Sequence, residues 1–355
     1  MPAWGKVLNE INQKQNVVDL VRRKYLKQLH AHTGRNVIAY YSGWLMRPHT
    51  LPNLSIGDDD MNAFMATVHQ MNRAKGLDLI LHTPGGDIAA TEAIVKYLWE
   101  MFDKDIRVIV PQLALSAGTM IACSAKNIVM GKQSSLGPID PQHGNVACQG
   151  VIDEFQMAIR SIQENPACAP LWQQIVSRYH PSFLYECTQA IQWSRTMVGG
   201  WLKQNMFVSE NDDAKEAAAK KIVDYLGDHA ATSVHARHIP MAKCEEIGLK
   251  VERLEDDAKF QDLVLTVHHA YIHTFSMSAA IKITENHIGV ANVLMAIPQL
   301  MAAQPANGAI GNPAMPIQPI QIIPMPQQAA PEAPSGVTAL DIDSSEQPLI
   351  KVEEN

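Results

Sequence analysis

Between residues 77 and 130, short apolar runs alternate with amphipathic stretches at nearly constant spacing. Leu77-Asp-Leu-Ile-Leu-His82, Ile106-Arg-Val-Ile-Val110 and Asn127-Ile-Val-Met130 are brief and rich in branched side chains, the pattern of buried strands. Residues 87–102 carry Ile88, Ile94, Val95, Leu98 and Met101 at helical spacing, and a second helix is expected over 116–124. Strands alternating with helices in this way require parallel crossovers, so the pattern predicts an α/β core.

The flanking pattern is more helical. Residues 5–34 place Val7, Leu8, Ile11, Val17, Val18, Leu20 and Val21 among charges, predicting one or two amphipathic helices. The β-branched and aromatic run 36–42 reads as a strand, and 58–75 as a helix with an acidic first turn, where the helix dipole favours negative charge. Residues 150–226 are expected to be helical, with Trp172, Trp193 and Trp201 as packing anchors. Residues 239–251 read as a helix ending on Gly248 and feeding a short strand, and 258–283 as a further helix. From 297 onward Pro, Ala, Gln and Met replace any period, which predicts a flexible tail. The expected organisation is an N-terminal helical segment (1–34), a main domain (35–290) and the tail (297–355).

Composition narrows the function. Hydrophobic residues are 46% of the 355-residue chain and charged residues 18%, enough for a large core. A net charge of −7 without a basic patch argues against a nucleic-acid partner. The N-terminus has no apolar signal segment, and no run of about 18 apolar residues offers a membrane span, so a cytoplasmic protein is expected. Cys123, Cys148, Cys168, Cys187 and Cys244 form no CxxC pair and are odd in number, predicting reduced, mostly buried thiols. No phosphate-binding glycine motif occurs, and His235-Ala-Arg-His238 brings no carboxylate at helical distance. Neither a cofactor nor a metal is expected.

Two loops carry candidate chemistry. Thr83-Pro84-Gly85-Gly86 ends one strand directly before a helix, and Ser116 in Leu113-Ala-Leu-Ser116-Ala-Gly ends the next strand at the start of another. Adjacent glycines let peptide N–H groups approach a carbonyl oxygen closely. A serine at a strand–helix junction is ordinarily an N-cap, and paired glycines are ordinarily a turn. One βαβ unit apart, at the carboxyl ends of neighbouring parallel strands, together they suggest a nucleophile and an oxyanion site.

The runs HTPGGDIAATEAIV and ALSAGTMIACSAKNIVMGKQSSLGPIDPQ resemble the serine dehydrogenase proteinase family. That family is related to signal peptide peptidase A and, more distantly, to Clp-type peptidases. The resemblance extends over about residues 30–290. It implies a Clp/crotonase-like spiral core, assembly into rings or stacks, Ser116 as nucleophile, and an oxyanion hole of Gly85, Gly86 and Ala117. The base departs from the relatives. Signal peptide peptidase A uses a lysine after the nucleophile, and this chain has none between Lys132 and Lys203. Lys203 reads as a surface charge. Alignment by motif suggests a triad of Ser116, His235 and Asp140, with His235 as base, Asp140 holding its tautomer, and His143 as the alternative base. His82 is expected to be structural. The leading reading is an ATP-independent serine peptidase acting on peptides or unfolded segments. The alternatives are a crotonase-type acyl-CoA enzyme and a silent or partner-gated oligomeric scaffold, with the tail as a docking segment for an unidentified protein.

Overall fold

The apolar runs become the parallel strands of a mixed seven-stranded sheet in the computed structural model, which describes residue 7 and residues 18–143, 146–227 and 237–296. In chain order the strands are β1 (Asn36–Ser42), β2 (Leu77–His82), β3 (Ile106–Val110), β4 (Leu113–Ala114), β5 (Asn127–Met130) and β6 (Ser135–Leu136). They continue with β7 (Gln142–His143), β8 (Val146–Ala147), β9 (Ile239–Pro240), β10 (Val251–Arg253), β11 (Ala280–Asn286) and β12 (Ala291–Met295). The main sheet has the order β10-β5-β3-β2-β1-β11-β12. From β10 to β1 every pairing is parallel, whereas β11 and β12 add antiparallel. A small second sheet joins β4, β6 and β9, and β7 and β8 form a hairpin.

The helices are α1 (Val18–Thr33), α2 (Asp59–Val68), α3 (Ile88–Phe102), α4 (Ala117–Cys123) and α5 (Cys148–Glu164). After them come α6 (Ala169–Val176), α7 (Phe183–Trp201), α8 (Asp212–Leu226), α9 (Met241–Ile247) and α10 (Ala258–Met277). Two cores explain why the strand runs are almost continuously apolar. Ile38, Tyr40, Leu79, Leu81, Val108, Val110 and Ile128 face one core, shared with α3, α4, α7 and α8. Val37, Ala39, Tyr41, Ile80, Ile109 and Val129 face the other, under α1 and α10. A sheet covered on both faces needs apolar side chains at every position, each fully buried aliphatic contributing about 1.5–3 kcal/mol.

Several expectations hold. The α9 helix ends on Gly248 at φ 104, and β10 follows. The five cysteines are free, four of them buried. No helix among the described residues is long and apolar enough to cross a membrane. Two expectations need correction. The helix expected over 258–283 stops at Met277, and Ala280–Asn286 is instead β11, buried throughout and paired with β1. The apolar content of 280–286 suits either element; pairing with β1, far away in sequence, decides it. Trp193 is not a packing anchor, because 41% of it is exposed. All described residues fall in one unit spanning 1–304, and the tail from 297 lies outside the described residues.

Candidate active site

The residue after β2 is laced to β4. Thr83 N–H donates to Leu113 O at 3.1 Å, and Leu115 N–H donates to Thr83 O at 3.0 Å. This short parallel bridge aligns the glycine loop with the serine loop. Gly85 has φ 104, and a Cβ placed there would lie 2.7 Å from Ser116 Cβ and 3.1 Å from Ala117 N. Only glycine fits, both for its backbone and for its contact. At Gly86 an added Cβ would meet Ile56 O at 2.2 Å. Ile56 is itself fixed, donating its N–H to Gly85 O at 2.8 Å and accepting from Asp87 N–H at 2.9 Å. Asp87 then caps α3 by accepting from Ala90 N–H at 2.8 Å.

Ser116 is half-buried, with φ 50 and ψ −115. A side-chain-bearing residue held there costs on the order of 1–3 kcal/mol and persists only where its surroundings impose it. The N-cap explanation fails, since its side chain accepts no cap hydrogen bond. Behind it, Thr119 Oγ1 donates to Ala114 O and accepts from Gly137 N–H, both at 2.9 Å. A Cβ on Gly137 would approach Ser116 N to 3.3 Å, so the segment after β6 also presses on the serine.

A cavity of about 370 Å³ opens in front of Ser116. Pro84, Gly85, Gly86 and Met120 line it on one side, and Pro141, His143, Cys148, Ala190 and Trp193 on another. The Gly85 N–H donates to Thr83 Oγ1 at 3.2 Å. Gly86 N–H has no protein acceptor among the described residues. Ala117 is the first residue of α4, so its N–H belongs to the group without an intrahelical acceptor.

The other expected residues are dispersed. His143 is exposed on β7 and lines the cavity with Ser116. Asp140 is buried and close enough to Cys148 to help raise its thiol; burial is the larger cause, and the value is pushed up to about 12. His235 lies outside the described residues. His82 is buried away from the cavity, 4.4 Å from the Trp44 ring and 5.2 Å from His268 between centroids. Burial pushes its pKa down to about 3, so it is a neutral core group. Lys203 donates to Glu216 at 2.8 Å on the surface. Sequence reasoning missed Met120, Cys148 and Trp193 as cavity walls, and Trp193 Nε1 donates to Glu92 at 3.2 Å. Met120 lies one turn after Ser116 on α4, whereas no local signal marks Cys148 and Trp193, because α5 and α7 reach the cleft only through tertiary packing.

Residues 8–163 match the family model described as ClpP-like SDH-type serine proteinase. Two uncharacterized proteins of Methanocaldococcus jannaschii are similar. MJ0137 is 37% identical over 94 residues, 26% of this chain and 32% of its own length. MJ1495 is 27% identical over 175 residues, 49% of this chain and 51% of its own length. The chain therefore spans about a third and about half of these curated relatives. Among solved structures, a mutant of the membrane-bound stomatin-specific protease 1510-N aligns at 16% identity with a TM-score of 0.34, covering 59% of this chain and 79% of that one.

Proposed function

With residues 8–163 matching the ClpP-like SDH-type serine proteinase family, we propose that the chain cleaves peptides or unfolded protein segments through an acyl-enzyme on Ser116. One observation carries this reading: the glycine loop and the serine loop touch, with Gly85 packed on Ser116 and Ala117. In the proposed reaction the Ser116 hydroxyl attacks a scissile carbonyl. The developing oxyanion is received by the Gly86 and Ala117 N–H groups, and Gly85 serves by lacking a side chain. Donors aimed at the oxyanion are worth about 10²–10³ in rate each.

His143 is the base this reading favours, since it lines the same cavity as Ser116. It takes the hydroxyl proton, gives it to the leaving amine, and then activates the water that hydrolyses the ester. The alternative keeps His235 as base with Asp140 as its partner. A crotonase-type enzyme shares the glycine-built oxyanion site, but it has no use for a serine held at φ 50 over the cavity.

The proposal extends to a spiral core. Three successive units place a strand in the main sheet and a short piece beside it: β2 with Thr83, β3 with β4, and β5 with β6, the short pieces pairing in parallel. It also extends to self-assembly, for which Ile159, Leu171 and Tyr185 offer exposed apolar surface on α5–α7.

A fluorophosphonate probe tests the mechanism. Labelling of the wild-type chain that disappears in Ser116→Ala supports it, and unlabelled wild-type protein counts against it. Loss of labelling in His143→Ala but not in His235→Ala assigns the base; the opposite result assigns His235.

A further inference from the structure

A second group of chemically active side chains gathers around His143, on the surface beside the cleft. His143 on β7, His180 just before α7 and Glu186 in the first turn of α7 place one ligand atom each within 4.8 Å of one another. They come from two elements that both contribute to the cavity: His143 lies on the hairpin, and α7, which carries Glu186, supplies Ala190 and Trp193 to the lining.

Their orientations suit a common ligand. Phe183 is buried and packs against both imidazoles, with ring centroids 5.3 Å from His143 and 5.0 Å from His180, both edge-on. His180 Nδ1 lies 2.7 Å from Pro181 O, which fixes Nδ1 as the protonated nitrogen and leaves the Nε2 lone pair outward. Glu186 Oε1 accepts from Ser182 Oγ at 2.9 Å, and its other oxygen, Oε2, stands 3.8 Å from His180 Nε2. Hydrogen bonds that set a histidine tautomer and hold a carboxylate are the outer support that metal ligands require. His143 reaches that pair from the hairpin, held by its contact with Phe183 so that its ligand atom lies within 4.8 Å of theirs.

Two imidazoles and one carboxylate with open positions form a donor set for a divalent transition cation of the zinc type rather than for calcium or magnesium. We propose that His143, His180 and Glu186 bind such a cation, and that loading it withdraws His143 from the cleft, ties the hairpin to α7 and stops acylation of Ser116. The binding stands on the geometry alone. The inhibition rests on the hydrolase reading with His143 as base.

Two measurements on the full chain separate these. Zinc calorimetry and cobalt(II) absorption in the Ser116→Ala variant are expected to show one equivalent bound, with affinity falling about ten- to a hundredfold or more in His180→Ala and in Glu186→Gln. Affinity unchanged in both variants overturns the site. Fluorophosphonate labelling of the wild-type chain is then expected to fall with zinc and return with chelator, while His180→Ala labels normally without zinc and resists it. Normal labelling of zinc-loaded wild-type protein overturns the inhibition. Absence of labelling even in metal-free protein sinks the hydrolase reading and the inhibition with it, and the binding measurements still decide the metal site.

Discussion

The cleft end of the parallel strands and the antiparallel flank of the same sheet are held in opposite ways. At the cleft, contacts run between loops one βαβ unit apart, through peptide groups and glycines, and leave a half-buried serine in a strained conformation. On the flank, β11 buries Lys282, Glu285 and Asn286. Lys282 donates to Asp60 and to Ser55 O, each at 2.9 Å. Glu285 accepts from Arg22 at 2.8 Å and from the Tyr271 hydroxyl at 3.0 Å, and Asn286 donates to Thr67 O at 2.7 Å. The cleft holds a half-buried serine at positive φ beside the cavity. The flank is held by paired buried groups, and removing any partner strands another. The two meet at residues 55–57: Lys282 holds Ser55, Asp60 accepts from Gly57 N–H at 3.0 Å, and Ile56 between them is bonded to Gly85. The flank is thus linked by hydrogen bonds to the glycine loop.

The contrast is sharpest where one region should fail without the other. Ser116→Ala should lower acylation by about three to six orders of magnitude while leaving the melting temperature nearly unchanged, since alanine keeps the Cβ that packs on Gly85 and the lost hydroxyl makes no cap hydrogen bond. Probe labelling beside a thermal melt reads both. Lys282→Met should instead destabilise the fold, by about 3–5 kcal/mol through the stranded Asp60 charge, as measured by denaturant titration. Near-normal stability in that variant would break the comparison.

A smaller effect is expected from pH. Burial holds His82 at a pKa of about 3 and His287 at about 4, and keeps His268 well below its ordinary value. Above about pH 6.5 these groups are neutral whether folded or unfolded. Below it the unfolded chain takes up protons that the folded chain refuses, so stability should fall from about pH 6.5 towards pH 4, by about 1.4 kcal/mol per pH unit for each such histidine. Melting curves at fixed ionic strength would show the slope, and His82→Phe should flatten it. The smallest effect belongs to Lys203→Ala. Its exposed pair with Glu216 is worth no more than about 1 kcal/mol, and labelling should be unaltered, as it would not be if Lys203 were the base.

Much of the site was legible because its parts are local. The order strand, Thr-Pro-Gly-Gly, helix, strand, Leu-Ser-Ala-Gly, helix already places two loops at neighbouring strand ends, and the bridge between Thr83 and Ala114 realises that placement. The serine's strain was not legible, since Gly85 and Gly137, from two other segments, pack against it. The walls from Cys148, Ala190 and Trp193 were not legible either. Trp193 on a helical repeat looks like any buried tryptophan, and its exposure at the cleft follows from how α7 lies. His180 and Glu186 carried no signal because their relation to His143 is one of space.

The sequence by itself determined the parallel strands, their crossover helices and the two loops that meet, because period, turn chemistry and glycine geometry act over a few residues. The tertiary structure decided that 280–286 is a strand carrying buried charge, that Ser116 is held at positive φ, and which side chains share its cavity. Those outcomes depend on burial and on partners brought from as far as 263 positions away, and such distances leave no period in the chain.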